Sequence, residues 1–368
     1  MVCEDDRRGA VSRQIATFDD LRDAITAYRL PRVLIAALEL NLCTAVGTKT
    51  WTIPALAREM KVSERGLAIL CRNLSMAGLL KKKGEIYRNS RLGATALNAA
   101  HPAYRGDYLR LMTSHWADWG RLLESVRSGL PLDHDEPDEP DYRRRFTWAM
   151  HHRTLETAPQ IAAQLNLGGA RTLLDLGGGP GTYAMAFLAK NPTLRATVCD
   201  RPAALDVAQE IASTHKAAAR LSCLSLDIMR EDIPGAYDVI WYSNVLHIYS
   251  PKDNRALFRR ALASLNPGGR LLIQDAFLHD RDGLFPEEAS LFAVSMLLFT
   301  EEGNTYSAAE AKAWLMEAGF ERIKVLRMKK GTEDWEGGIL EARSPGTNGR
   351  TRARRTGSVK NLRSRSSH

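Results

Sequence analysis

The chain has 368 residues, enough for two domains that each bury a core of their own. Its formal net charge is +8, yet seven basic residues and no acidic one fall between Ser344 and His368, so the rest is nearly neutral and a nucleic-acid-binding surface is not expected. Five scattered cysteines without C-x-x-C spacing, no apolar run of membrane-spanning length and a charged opening stretch, MVCEDDRRGAVSRQ, argue against a disulfide framework, a zinc cluster, a membrane protein and a secretory signal; a reduced cytoplasmic setting is expected.

In chain order, residues 19 to 46 carry apolar positions at helical spacing, through Leu21, Ile25, Val33, Leu34, Leu38 and Leu40. Next come a helix over Ile53 to Met60, a second over Glu64 to Ala77 with Ser63 as N-cap and Gly78 as stop, and a hairpin of Leu79 to Lys82 and Glu85 to Arg88 around Gly84. This is a winged-helix pattern, and such modules often bind DNA. The second helix offers Arg65, Arg72 and Asn73 for that purpose, but apolar residues surround much of its circumference, so a buried, packing helix is the favoured reading; the alternative is a DNA-binding regulator that senses a nucleoside. Residues 104 to 130 are rich in large side chains, Trp116 among them. DHDEPDEPD then forms an acidic linker, and a long helical connection from Asp141 to Leu167 carries Phe146 and Met150.

The centre of the chain is TLLDLGGGPGTYAMAFLAKNPTLRATVCD. Thr172 to Leu176 is a short apolar run, suited to a parallel strand buried on both faces. Gly177, Gly178, Gly179 and Gly181 can turn sharply and leave bare backbone N–H groups for a ligand. A helix over Thr182 to Lys190 leads to a strand ending in Asp200, whose two oxygens can accept from both hydroxyls of a ribose. A dinucleotide fingerprint, G-x-G-x-x-G, would need a third glycine at position 182, which is Thr182.

Beyond Asp200 the pattern alternates helix and strand. A helix spans Ala203 to Lys216, LSCLSLDI ends a third strand near Asp227, and YDVIWY is a fourth, followed at the ligand-binding edge by SNVLHIYSPKDN. His247 lies there. A hydroxyl is a poor nucleophile until a base removes its proton, and an imidazole can accept one near neutral pH. GRLLIQDAF ends a fifth strand at Asp275. Pro286 to Phe299 reads as an apolar helix with Phe292 and Met296, and Ser307 caps a helix through Ala318. Phe320 to Met328 and Gly338 to Arg343 read as a closing strand pair.

DLGGGPG, opened by Asp175, resembles the first motif of class I methyltransferases that use S-adenosylmethionine. VLIAALELNLCTAV, LAREM and ILCRNLSMAGLL resemble the N-terminal dimerisation domain of the plant and bacterial O-methyltransferases related to caffeic acid and acetylserotonin methyltransferases. The resemblance covers roughly residues 20 to 343. It implies an α/β fold, a Rossmann-like doubly wound methyltransferase sheet with a closing antiparallel hairpin, preceded by a mostly α winged-helix domain. The expected boundaries are 1–18 for a flexible N-terminus, 19–100 for the dimerisation domain, 101–168 for a helical linker and pocket segment, 169–343 for the catalytic domain and 344–368 for a disordered basic tail.

The resemblance further implies S-adenosylmethionine held by Asp175, the four glycines, Asp200 and Ser243, with Asp227 beside the adenine amino group and Ile228 against the ring. It implies a homodimer and a small hydroxyl-bearing acceptor, aromatic or polycyclic, walled by Trp116, Phe146, Met150, Phe292 and Met296; ordinary core is the competing reading for these side chains. His247 falls at the family's catalytic base and Asp275 at an acid that orients it, with no metal required. Three departures stand out. Ile248 and Tyr249 replace the Asp-Trp that usually follows the histidine, Ser243 stands where plant members carry a lysine near the cofactor, and Thr305 aligns with a second orienting glutamate, which leaves Asp275 to act alone. N- or C-methylation, or non-methylating chemistry with the same cofactor, is the remaining alternative.

Overall fold

The computed structural model describes residues 15–133, 140–279, 282–328 and 338–346. Most of the two expected tails and residues 134–139 of the acidic linker lie outside the described residues. Two compact units emerge. Among the described residues, 15 to 124 and 140 to 153 form the first, and 125 to 133 and those from 154 to 346 form the second.

In the first unit Thr17 closes a capping box with Asp20 and starts α1 (Phe18–Thr26), which buries no residue. α2 (Arg29–Glu39) and α3 (Leu42–Val46) follow, then β1 (Trp51–Thr52), α4 (Ile53–Met60) and α5 (Glu64–Met76), where the Ser63 hydroxyl accepts from the Gly66 N–H. β2 (Leu80–Lys83) and β3 (Ile86–Asn89) form the wing, and β1 adds to it in the order β1-β3-β2. Both wing strands begin one residue later than expected, because the Leu79 N–H is taken by the Leu74 carbonyl at the close of α5. The expectation that α5 is buried on most sides is corrected. Only Leu67, Cys71 and Leu74, spaced along one face, enter the core, whereas Ile69 and Met76 are exposed. α6 (Arg91–Ala96), α7 (Gly106–Ser114), α8 (Trp116–Gly120) and α9 (Leu122–Ser128) come next, then α10 (Pro140–Thr154). The long helix expected from 141 to 167 is two helices, since α11 (Thr157–Gln164) starts afresh.

The second unit is a seven-stranded sheet. Its strands are β4 (Thr172–Leu176), β5 (Arg195–Asp200), β6 (Leu221–Ser225), β7 (Tyr237–Ser243), β8 (Leu265–Gln274), β9 (Glu321–Leu326) and β10 (Ile339–Arg343), in the order β6-β5-β4-β7-β8-β10-β9. Neighbours are parallel from β6 to β8, and β10 runs antiparallel to both β8 and β9. The unit's helices include α11 together with α12 (Thr182–Lys190), α13 (Pro202–Ser213), α14 (Pro251–Ala263), α15 (Glu287–Phe299) and α16 (Ala308–Ala318). Side-chain alternation sends Leu173, Trp241 and Leu272 to one face under Ile161 and Phe187, and Leu174, Ile240 and Ile273 to the other with Phe258 and Trp314. Strand order reverses between β4 and β7. A ligand crevice belongs at the carboxyl end of these two strands.

Ser344, assigned by sequence to the tail, is part of this fold: it is buried, its N–H donates to the Gly269 carbonyl and its hydroxyl to that of Asn266. Nearby, the buried Glu341 carboxylate takes Arg270 at 2.8 Å, while Arg343 at 3.3 Å and Lys324 at 3.9 Å are more exposed and count for less. Glu341→Ala strands the Arg270 charge at 11% exposure and is expected to cost about 3–5 kcal/mol. Urea unfolding followed by tryptophan fluorescence checks this, and a loss below about 1 kcal/mol would contradict it.

Candidate active site

The glycine loop turns directly out of β4. Gly177, Gly179 and Gly181 have φ of 69°, 50° and 67°, a region that side chains other than glycine rarely adopt. A Cβ on Gly177 would lie 2.8 Å from a Val245 methyl, and one on Gly178 would lie 2.6 Å from the Asp175 carboxyl carbon. A Cβ on Gly179 would meet nothing within 4 Å, so there the loop faces open space, as a cradle for a ligand should. The Asp200 carboxylate accepts from the Gly179 N–H at 2.8 Å and from the Arg201 N–H at 2.7 Å. The acid expected beside the loop is there, and it also holds the loop's shape.

Asp175 sits differently from the expected cofactor contact. It is 2% exposed, and its carboxylate accepts from the Ala184 N–H at 3.2 Å, bracing the start of α12 from beneath the loop. Burial pushes this carboxyl up to about 7, against the Ala184 N–H, which favours the anion; Asp200 adds to the rise. The native protein therefore holds a proton that the unfolded chain has already released, in the window from the ordinary 3.8 up to about 7. The group's contribution to stability is full below that window and is lost as pH rises through it. Asp175→Asn, whose amide oxygen can still accept from Ala184, should become more stable relative to the parent as pH rises from 4 to 7.5. A thermal-midpoint difference that stays constant over that range would contradict the assignment.

Asp227 lies past the end of β6 and is exposed; it accepts from the Met229 N–H at 2.9 Å and has Arg230 at 3.6 Å. Ile228 is packed in the core with Leu176, Cys199 and Ile233, so its side chain is turned inward.

At the ends of β7 and β8 lies a buried polar cluster. His247 and Asp275 are both buried, and the imidazole Nδ1 is 2.7 Å from Asp275 Oδ1. The same carboxylate accepts from the Leu246 N–H at 3.0 Å and the Ala276 N–H at 2.8 Å. An ionised carboxylate only accepts, so Nδ1 carries the hydrogen and the Nε2 lone pair is left available. The edge of Phe292 packs on the imidazole, with centroids 4.8 Å apart at 80°. Met296, one turn further along α15, is buried. The Asn304 N–H donates to the His247 carbonyl, and Thr305 in the same segment is buried with no partner for its hydroxyl among the described residues. Trp116, Phe146 and Met150 belong to the first unit, where Arg32 lies over the Trp116 ring at 5.0 Å and Phe146 packs against Tyr142.

Further contacts, not all of them legible in the sequence, shape this edge of the sheet. The Asn254 amide donates to the carbonyls of Leu246, Tyr249 and Ser250, fastening the turn that carries His247. Its only sequence signal was a place in the first turn of α14. The Ser243 hydroxyl donates to Gln274 Oε1 at 3.2 Å, and Gln274 is fully enclosed beside Asp275. Val245 touches Gly177, so the glycine loop and the histidine segment lean directly on each other. Among the described residues no cluster of three His, Cys, Asp or Glu side chains is placed to hold a metal ion, and no helix is long and apolar enough to cross a membrane.

A doubly wound sheet closed by an antiparallel hairpin, with a glycine loop and an acid at its reversal point, defines the methyltransferase class of α/β folds. Residues 127–321, just over half the chain, match the O-methyltransferase domain, and residues 23–99 match the O-methyltransferase dimerisation domain. The chain belongs to the O-methyltransferase family and is an enzyme of that kind. It is 28% identical over 314 residues to the 3-hydroxy-5-methyl-1-naphthoate 3-O-methyltransferase of Streptomyces sahachiroi, covering 83% of this chain and 90% of the other. It is 29% identical over 313 residues to the tetracenomycin polyketide synthesis 8-O-methyl transferase of Streptomyces glaucescens, covering 83% and 92%. The crystal structure of human N-acetylserotonin methyltransferase in complex with SAM shares the fold with a TM-score of 0.79 at 23% identity, covering 92% of this chain and all of that one.

Proposed function

We propose that the chain transfers a methyl group from S-adenosylmethionine to a hydroxyl of a flat, fused-ring aromatic metabolite, with His247 as general base. The observation that carries this reading is the buried His247–Asp275 pair at 2.7 Å, placed at the carboxyl edge of the sheet in a segment that rests on the glycine loop. The cofactor supplies a methyl already activated by its sulfonium. The chain's own task is alignment and proton removal. His247 Nε2 takes the hydroxyl proton as the oxygen–carbon bond forms and the sulfur–carbon bond breaks, and Asp275 stabilises the resulting imidazolium through Nδ1–H. The Gly177 to Gly181 loop and Asp200 hold the cofactor, which fits the open space over Gly179 and the half-buried acid beside it. A fused-ring acceptor is favoured by the naphthoate and tetracenomycin relatives and by the ring-sized apolar wall that Phe292 offers beside His247.

Incubation with S-adenosylmethionine and a panel of hydroxynaphthoates and polycyclic phenols, read by mass spectrometry and NMR, tests this. The expected product is a methyl ether. A methyl found on carbon or nitrogen would replace the hydroxyl reading.

The same proposal makes the chain a homodimer through its first unit. There Phe18 and Ile25 on α1 and Tyr28 just before α2 are exposed, and an open apolar groove of about 380 Å³, lined by Val33, Leu40, Leu67 and Leu70, lies between α2 and α5. Light scattering on the purified protein should give twice the 40.9 kDa chain mass.

A further inference from the structure

We propose that Asn244 is a positioning residue for His247, acting through its backbone: a left-handed conformation at this one position turns the chain out of β7 and back onto Asp275. The inference rests on the reading of His247 as the base.

Asn244 has φ of +57°, and the other non-glycine residues with positive φ among those described, Asn41, Lys61 and Arg322, lie elsewhere. Asparagine tolerates this region better than most side chains, and β-branched residues tolerate it worst. The position is held from both sides. Its N–H donates to the Gln274 carbonyl at 2.9 Å, the last rung between β7 and β8, and its side-chain amide donates to the Ser243 hydroxyl, which in turn donates to the Gln274 side chain.

The geometry of the arch explains why the conformation matters. Residue 244 is pinned to Gln274, and Leu246 and His247 are pinned to the two oxygens of the very next residue, Asp275. A continuing strand would advance about 3.3 Å per residue and carry residue 247 well beyond Asp275. The chain must instead fold back within three residues, and Leu246 to Ile248 do so as a tight 3₁₀ turn. Val245, at the crown of the arch, is the residue that meets Gly177. The backbone at 244 therefore fixes both how the imidazole reaches Asp275 and how the arch rests on the cofactor loop.

The test reads the His247–Asp275 hydrogen bond itself, with no acceptor needed. In protein carrying ¹⁵N-labelled histidine and saturated with S-adenosylhomocysteine, the His247 Nδ1 proton should give a downfield resonance that disappears in His247→Gln, which assigns it. Asn244→Gly, which adopts positive φ freely, should keep that resonance. Asn244→Val should lose it or exchange it with water at least about tenfold faster, the order expected from the cost of a left-handed side chain. Should Asn244→Val fail to fold, Asn244→Ala is compared with Asn244→Gly, and faster exchange in the alanine variant is the expected order. A resonance unchanged in Asn244→Val, or in Asn244→Ala where that comparison is the one made, overturns the inference. So does equal loss in Asn244→Gly, since the side-chain amide would then be what matters. Neither result touches the base assignment, which fails separately if His247→Gln methylates a hydroxynaphthoate at the parental rate.

Discussion

His247→Gln is expected to lower kcat for methyl ether formation by about 10²–10⁴-fold, the range that a positioned general base contributes, while leaving the dissociation constant for S-adenosylhomocysteine within about threefold. Glutamine is the informative replacement. Its side-chain amide can still donate to Asp275, so the buried carboxylate keeps a partner and the turn at Leu246 to Ile248 keeps its shape. What it lacks is a nitrogen lone pair able to take a proton near neutral pH. The assay uses the best acceptor from the hydroxynaphthoate and polycyclic phenol panel, with calorimetric titration of S-adenosylhomocysteine as the binding control. Undiminished turnover would remove His247 from the reaction and leave alignment as the enzyme's whole contribution.

The second large effect is expected from Asp275→Asn, which changes one atom. The carboxylate serves three donors: Oδ1 takes His247 Nδ1–H and the Ala276 N–H, and Oδ2 takes the Leu246 N–H. An amide group in either orientation sets its own N–H against one of these. With the amide nitrogen toward His247, the imidazole must place its lone pair on Nδ1 and its hydrogen on Nε2, so the side facing the acceptor can no longer accept. With the nitrogen toward Leu246, a buried backbone N–H loses its acceptor, at about 1–3 kcal/mol. A fall in kcat of about 10²–10⁴-fold is expected, by the tautomer argument that applies to buried Asp–His pairs generally, together with a lower thermal midpoint. Asp275→Asn with both parental kcat and parental midpoint would show that the pair is ornamental to the fold and the chemistry alike.

Both expected effects fall on a few residues at two strand ends, where the contacts also bear on the departures from the plant pattern. Thr305 stands where the plant pattern has a second acid, and its segment meets the histidine turn through the backbone, with the Asn304 N–H on the His247 carbonyl. Asp275 already has three donors to satisfy, and backbone N–H groups saturate it where another carboxylate would compete for the same imidazole. Ile248 and Tyr249 leave the turn intact because Asn254 holds its carbonyls.

The sequence by itself determined the order of the elements and the chemistry at their ends. Alternating burial and glycine spacing are local properties, so β4, the loop after it and Asp200 could be read from neighbours a few residues apart, while the roles expected of His247 and Asp275 were implied by the resemblance to the O-methyltransferases. Asp175 shows the limit of a motif: the resemblance implied a ligand contact, and only the packing of α12 against β4 turned its carboxylate inward and raised its affinity for a proton. Ile228 follows the same rule, since whether an apolar residue meets a ligand or a core depends on what covers it. Val245 against Gly177 and Asn244 in its left-handed arch were decided by the tertiary structure alone, because each depends on a contact between segments far apart in the chain, which no pattern confined to neighbouring residues encodes. Asn254 lies only four to eight residues from the carbonyls it holds, but the turn that brings them within its reach is itself set by the anchoring of Leu246 and His247 on Asp275.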